Sequence, residues 1–252
     1  LGFDATAESR FDPEPMRAKT VFLCLLAALS FTSCVKEDPS WPPSVPVELE
    51  LVPRWNGAPF DKNQVYLSAA NERVLIQQVK FYLSGITLEG EDGAALLSQA
   101  ELFDLTNGAS KRRFNIPSGA YSGMRFGLGL PPELNHADIT AIDPSSPLGN
   151  NGGMYWSWTT LYRFIVFDGR YDTDPAATGS LPYQFSIHTG RDTCYREGSI
   201  ALAAKAEQGS VMRVVLDVDI SRFFTDGQQV LDLSQGAQVH GEVQTLPVAL
   251  KL

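Results

Sequence analysis

Val79-Lys-Phe-Tyr-Leu-Ser-Gly-Ile-Thr-Leu88 is the stretch from which the fold is read. It is rich in β-branched and aromatic residues and runs into Glu91-Asp-Gly93, the composition of a strand closed by a tight turn. Outward from it the pattern repeats. Val47-Glu-Leu-Glu-Leu-Val52 alternates apolar and acidic side chains, as a half-buried strand does. Downstream, strands are expected at residues 101–105, 113–116 and 121–130, with Pro117-Ser-Gly119 as a turn before the last. Further strands are expected at 155–167, 183–188, 199–205, 211–219 and 229–233, with one helical turn at 220–224. Before Gly241 no 3.6-residue period is sustained over the length a packed helix needs. The last residues, 241–252, suit a helix or a strand, and Pro247 weakens either. Many short strands with regular turns predict an all-β fold, a single antiparallel β-sandwich with long loops and few or no helices. Phe81, Leu83, Phe126, Phe164, Val166, Val214 and Leu216 are its expected core.

The N-terminal residues stand apart from that domain. Met16-Arg-Ala-Lys-Thr20 is a short basic segment, followed by an apolar run over 21–31 and by Thr32-Ser-Cys34. The run is too short to span a bilayer and reads as a secretory signal. Residues 1–33 are therefore upstream sequence and signal, and residues 1–15 are expected to be disordered. Phe31-Thr-Ser-Cys34 resembles a bacterial lipobox, which makes Cys34 the expected lipidation site. Val35-Lys-Glu-Asp38 resembles the acidic export tag of surface lipoproteins. The proline-rich Pro39-Ser-Trp-Pro-Pro-Ser-Val-Pro46 suits a stiff tether over 34–46. Residues 47–252 form the domain. An outer membrane lipoprotein follows, facing the periplasm or the cell surface.

The formal net charge is −9, of which the signal region carries −1. An acidic chain without Lys/Arg runs is a poor nucleic-acid binder. With Cys24 cleaved away and Cys34 lipidated, Cys194 is left alone and makes no internal disulfide. Nucleotide binding lacks a GxxxxGK[ST] loop. Ser186 and His188 are neighbours in sequence, but no Gly-x-Ser-x-Gly elbow supports a hydrolase. The expectation is a binding protein and not an enzyme.

Residues 131–153 form a polar loop of about twenty residues, a length that in a compact domain is usually functional or disordered. It holds Asn135 and His136 and ends in Met154-Tyr-Trp-Ser-Trp158. On one strand Trp156 and Trp158 share a face. The chain's three histidines, His136, His188 and His240, each lie at a strand-to-loop transition. Imidazole is the commonest neutral metal ligand. A single histidine is more often structural, paired tryptophans are more often core, and Met154 is either a soft ligand or filler.

Taken in order, these pieces resemble the MbnP-like family of copper-binding secreted or lipid-anchored proteins. Residues 79–88 match its FYxSNIxL strand, with Gly85 where Asn is usual. Gly119-Ala-Tyr-Ser-Gly-Met-Arg-Phe-Gly-Leu-Gly-Leu130 matches GxYxxxxFxLGV. Asn135-His136, Pro147-Leu148, Met154-Tyr-Trp-Ser-Trp158 and Tyr162-Arg-Phe164 resemble LNH…PL…MxWxWxxGYxF, with Leu161 in place of Gly. Phe185-Ser-Ile-His-Thr-Gly190 resembles FHxG, and His240 falls where a late histidine is common. The resemblance implies a β-sandwich holding copper through His136, His188 and His240, lined by Trp156, Trp158, Met154 and Asn135. It also implies oxidation of one tryptophan to kynurenine by a di-haem MauG-like cytochrome c peroxidase partner. Cu(I) and Cu(II) both stay open, since imidazoles suit Cu(II) and tolerate Cu(I). The function implied is copper acquisition or homeostasis. The rival reading is a surface sandwich that binds glycans or proteins through exposed aromatics, with no metal.

Overall fold

The structure, a computed structural model, describes residues 2–5, 44–156 and 161–240. Cys34, the signal segment, Trp158 and residues 241–252 lie outside the described residues. The described strands are, in order, β1 (Gly2–Ala5), β2 (Ser44–Trp55), β3 (Ala58–Pro59), β4 (Tyr66–Leu67) and β5 (Arg73–Gly90). Then come β6 (Gly93–Asp104), β7 (Ser110–Pro117), β8 (Gly119–Leu128), β9 (Tyr155–Trp156) and β10 (Leu161–Asp172). The last are β11 (Tyr183–Gly190), β12 (Arg196–Ala206), β13 (Met212–Asp219) and β14 (Gln238–His240). Among the described residues there are also two short α-helices, α1 (Pro132–Asn135) and α2 (Leu233–Gly236), and a few 3₁₀ turns.

Two sheets face each other. The smaller runs β1-β13-β2-β3, with β7 on β2. The larger runs β12-β8-β5-β10-β11-β14, with β4 and β6 also on β5 and β9 on β10. The 18-residue β5 is long enough to serve two partners along one edge, β10 beside its first half and β8 beside its second. The junction is Gly85, whose φ of +55° breaks the register between Ser84 and Thr87. Only Gly, or less readily Asn, takes that conformation.

The sandwich core is built by alternation. In β2, Val45, Val47, Leu49 and Leu51 are buried, and in β13 so are Met212, Val214, Leu216 and Val218. They meet Phe81, Leu83, Phe126, Ile165 and Phe167 of the larger sheet. Phe164 and Val166, expected in that core, are buried on the opposite face because side chains alternate along a strand. There they join Tyr82, Leu130, Met154 and Tyr162 in a second core under the long loop. The larger sheet thus packs one face on the other sheet, and on its outer face Tyr82, Phe164 and Val166 pack under Leu130 and Met154 at the two ends of the loop.

Four expectations need correction. The pairing is largely antiparallel, but β2–β13 and β11–β14 are parallel, since each is joined by a long crossover and not a hairpin. Residues 2–5, expected to be disordered, pair antiparallel with β13. Residues 229–233 make a single bridge, Thr225 to Val230, before α2 begins at Leu233. The strand expected over 155–167 is broken: β9 folds back on β10, with Trp156 opposite Leu161.

Candidate metal centre

The outer face of the larger sheet carries chemistry in two adjacent rows. Register places Val166 of β10 opposite His188 of β11, and His188 beside His240 of β14. The next row reads Asp168, Ser186, Gln238. The parallel pairing of β11 with β14 is what sets two histidines so distant in sequence side by side. Their ring centroids are 5.2 Å apart. Trp156, carried back over this face by β9, lies 5.3 Å from the His188 ring and 5.5 Å from the His240 ring. The Arg163 guanidinium sits over the Trp156 ring at 4.7 Å, a cation–π contact, and also donates to the carbonyl of Gly153.

His188 is 6% exposed. Its Nε2 is 2.9 Å from Asp168 Oδ1 and 3.1 Å from Ser186 Oγ, and the Ser186 hydroxyl donates to the same Asp168 oxygen at 2.8 Å. This is not a Ser-His-Asp relay. A relay needs serine and aspartate on opposite nitrogens of the ring, and here both meet Nε2. His188 Nδ1 is buried without a hydrogen-bond partner.

Burial alone would push the Asp168 carboxyl up. Hydrogen bonds from His188 and Ser186, with the electrostatic pull of His188 and Arg163, outweigh it and hold the group below its ordinary value. Burial first, and then neighbouring His188, holds the His240 imidazole below its ordinary value against the pull of Asp168. Near neutral pH the site therefore presents a neutral His240 imidazole beside an ionised carboxylate.

Of the three histidines, two come together. His136 follows α1, and its Nε2 lies 2.9 Å from Asp192 Oδ2. Asn135, 2% exposed, donates from Nδ2 to Asp192 Oδ1 at 2.8 Å and accepts from the Tyr162 backbone N–H at 3.2 Å. Both residues tie the loop to the sheet. Met154 is buried in the second core among Tyr82, Tyr162 and Phe164. Among the described residues no three His, Cys, Asp or Glu side chains are clustered to hold a metal ion. Trp156 lies against both imidazoles, and Trp158 is outside the described residues.

Asp168 and Arg163 were not singled out from the sequence. The available signal was alternation: in Phe164-Ile-Val-Phe-Asp168 the acid falls on the face of Phe164 and Val166, where a buried carboxylate needs a donor. The Trp156 ring is in contact with a guanidinium and two imidazoles.

A family model described as MbnP matches residues 44–241. Among solved structures the chain is similar to MbnP from Methylosinus trichosporium, with 16% identity and a TM-score of 0.51 over 83% of this chain and 88% of that one. The similarity at that identity concerns the fold. No curated protein matches the chain.

Proposed function

The chain belongs to the MbnP family, and from that premise we propose that it binds copper outside the cytoplasm through His188 and His240, with Trp156 against the ion. The observation that carries the reading is the His188–His240 pair at 5.2 Å beside Trp156. An imidazole centroid stands about 3 Å from a metal bonded at about 2 Å to one of its nitrogens. Two rings sharing one ion therefore stand about 5–6 Å apart. The buried, unpartnered Nδ1 of His188 and the neutral His240 supply the lone pairs that copper accepts. His136, held by Asp192, serves the loop in this reading.

The protein acts as a binding protein in copper acquisition or homeostasis, with no catalysis of its own. Lipid at Cys34 anchors it to the outer membrane, periplasmic or surface-facing. A di-haem MauG-like cytochrome c peroxidase, with two equivalents of hydrogen peroxide as the oxidant, cleaves the pyrrole ring of a tryptophan at the site. The carbon between nitrogen and C3 leaves as formate with one water, and the indole N–H, a poor ligand, becomes the aniline nitrogen and ketone of kynurenine. Copper titration of the metal-free domain tests the reading. His188→Ala and His240→Ala each lower affinity by at least about tenfold, the equivalent of 1.4 kcal/mol, and His136→Ala leaves it nearly unchanged. Equal affinity in wild type, His188→Ala and His240→Ala would overturn it.

A further inference from the structure

Asp168, Ser186 and His188 form a hydrogen-bonded unit whose proton positions follow from its chemistry. An ionised carboxylate only accepts, so at 2.9 Å from Asp168 Oδ1 the His188 Nε2 must donate. With a bare Nε2 the lone pair would face the carboxylate oxygen, a repulsive contact in a half-buried site. Ser186 reinforces the arrangement by donating to the same oxygen at 2.8 Å, which leaves its own oxygen, 3.1 Å from Nε2, facing an N–H. A neutral imidazole with its proton on Nε2 has its lone pair on Nδ1. That is the atom the structure buries without a partner, on a residue 6% exposed and in ring contact with His240 and Trp156.

We propose that Asp168, supported by Ser186, is a positioning residue: it fixes the Nε2–H tautomer of His188 so that Nδ1 is the atom offered to a metal ion. The inference rests on the copper reading for the identity of the ion. The tautomer itself belongs to the metal-free protein and is measured there. A buried acceptor with no donor nearby is unfavourable, and a Lewis acid relieves it without a proton. Carboxylate partners of this kind set ring orientation and raise ligand basicity in metal-bound histidines generally.

Long-range ¹⁵N–¹H correlation of imidazole-labelled, metal-free protein near neutral pH decides the matter. His188 is expected to show a protonated Nε2 and a bare Nδ1. In Asp168→Asn, with circular dichroism confirming the fold, the signature shifts toward the Nδ1–H form or a mixture. Asp168→Glu, which keeps an ionised acceptor, retains the Nε2–H form. Titration with Cu(II) alone is expected to weaken about 10–100-fold in Asp168→Asn, the usual scale for losing such a partner. A wild-type His188 carrying its proton on Nδ1 would overturn the inference even if copper binds, and so would an Asp168→Asn spectrum identical to wild type. If the wild-type tautomer is as expected and Cu(II) does not bind, the tautomer assignment stands and the copper reading falls.

Discussion

His136 Nε2 lies 2.9 Å from Asp192 Oδ2, and this contact pins the long loop to the segment that leaves β11. Asn135 grips the other carboxylate oxygen at 2.8 Å. The hydrogen bond from Asn135 outweighs burial and, with His136, holds the Asp192 carboxyl below its ordinary value of 3.8. A folded-state pKa that is depressed contributes stability that is complete above the unfolded value and lost as pH falls through the folded one. Asp192→Asn should therefore lower the thermal midpoint at neutral pH, and the gap to wild type should close only below about pH 4. Midpoints measured by circular dichroism across that range check the sign. A gap that stays constant into acid would show that the carboxylate charge is not what holds the loop.

Phe126 tests the sandwich core. It is 4% exposed and belongs to the main cluster between the sheets. Phe126→Ala is expected to cost about 3–5 kcal/mol, as large buried aromatics do. Denaturant unfolding measures it, and a loss below about 1 kcal/mol would mean that the site collapses around the cavity.

The fold was legible because its strands alternate. Val47–Val52 and the run from Val79 read directly as strands with a buried face, and Phe126 and Val214 were placed in the core they occupy. The second core was not legible, because Phe164 and Val166 look like any buried alternation until the partner on their side is known. For the site, sequence distance hid the decisive contact. His188 and His240 become neighbours only through the parallel β11–β14 register, which no local pattern encodes. Asp168 was hidden because a single acid in a strand is ordinarily a solvated one.

Leu161 stands where the family motif has Gly, and the structure shows the consequence: its φ is +62°, a left-handed conformation. For a residue with a Cβ that costs about 1–2 kcal/mol. Glycine removes the strain and returns about 0.5–1 kcal/mol of it as backbone entropy. Leu161→Gly should then stabilise the domain by up to about 1 kcal/mol, unless packing of the half-buried leucine offsets the gain. A raised denaturant midpoint with an unchanged slope is the expected reading, and a lowered midpoint would mean that packing wins.

The two tyrosine hydroxyls beneath the loop make a related claim. Tyr82 donates to the Pro147 carbonyl at 2.9 Å and Tyr162 to the Leu148 carbonyl at 2.7 Å, and burial pushes the Tyr162 phenol up to about 12. Each bond should contribute about 1 kcal/mol to loop closure. Tyr82→Phe combined with Tyr162→Phe removes about 2 kcal/mol and is expected to speed proteolysis within residues 137–152 by about thirtyfold. Unchanged cleavage would assign closure to apolar packing alone.

The tryptophan prediction follows from where Trp156 lies. β9 brings it back over the outer face, against His188 and His240 at 5.3 and 5.5 Å, so an oxidised ring there would stand beside the proposed ligands. Conversion to kynurenine opens the five-membered ring, removes one carbon and adds an oxygen, leaving an aniline nitrogen and a ketone on the same side chain. In protein from a host that makes a di-haem cytochrome of the proposed kind, Trp156 should carry this change, and protein made without such a cytochrome should not. Peptide mapping of the tryptic fragment ending at Arg163, with fragment ions assigning the mass change to Trp156 or to Trp158, measures it. Modification confined to Trp158 would move the oxidised ring to a residue two positions along. A fragment unmodified in the presence of the partner would leave copper binding to the two imidazoles and remove kynurenine from the site.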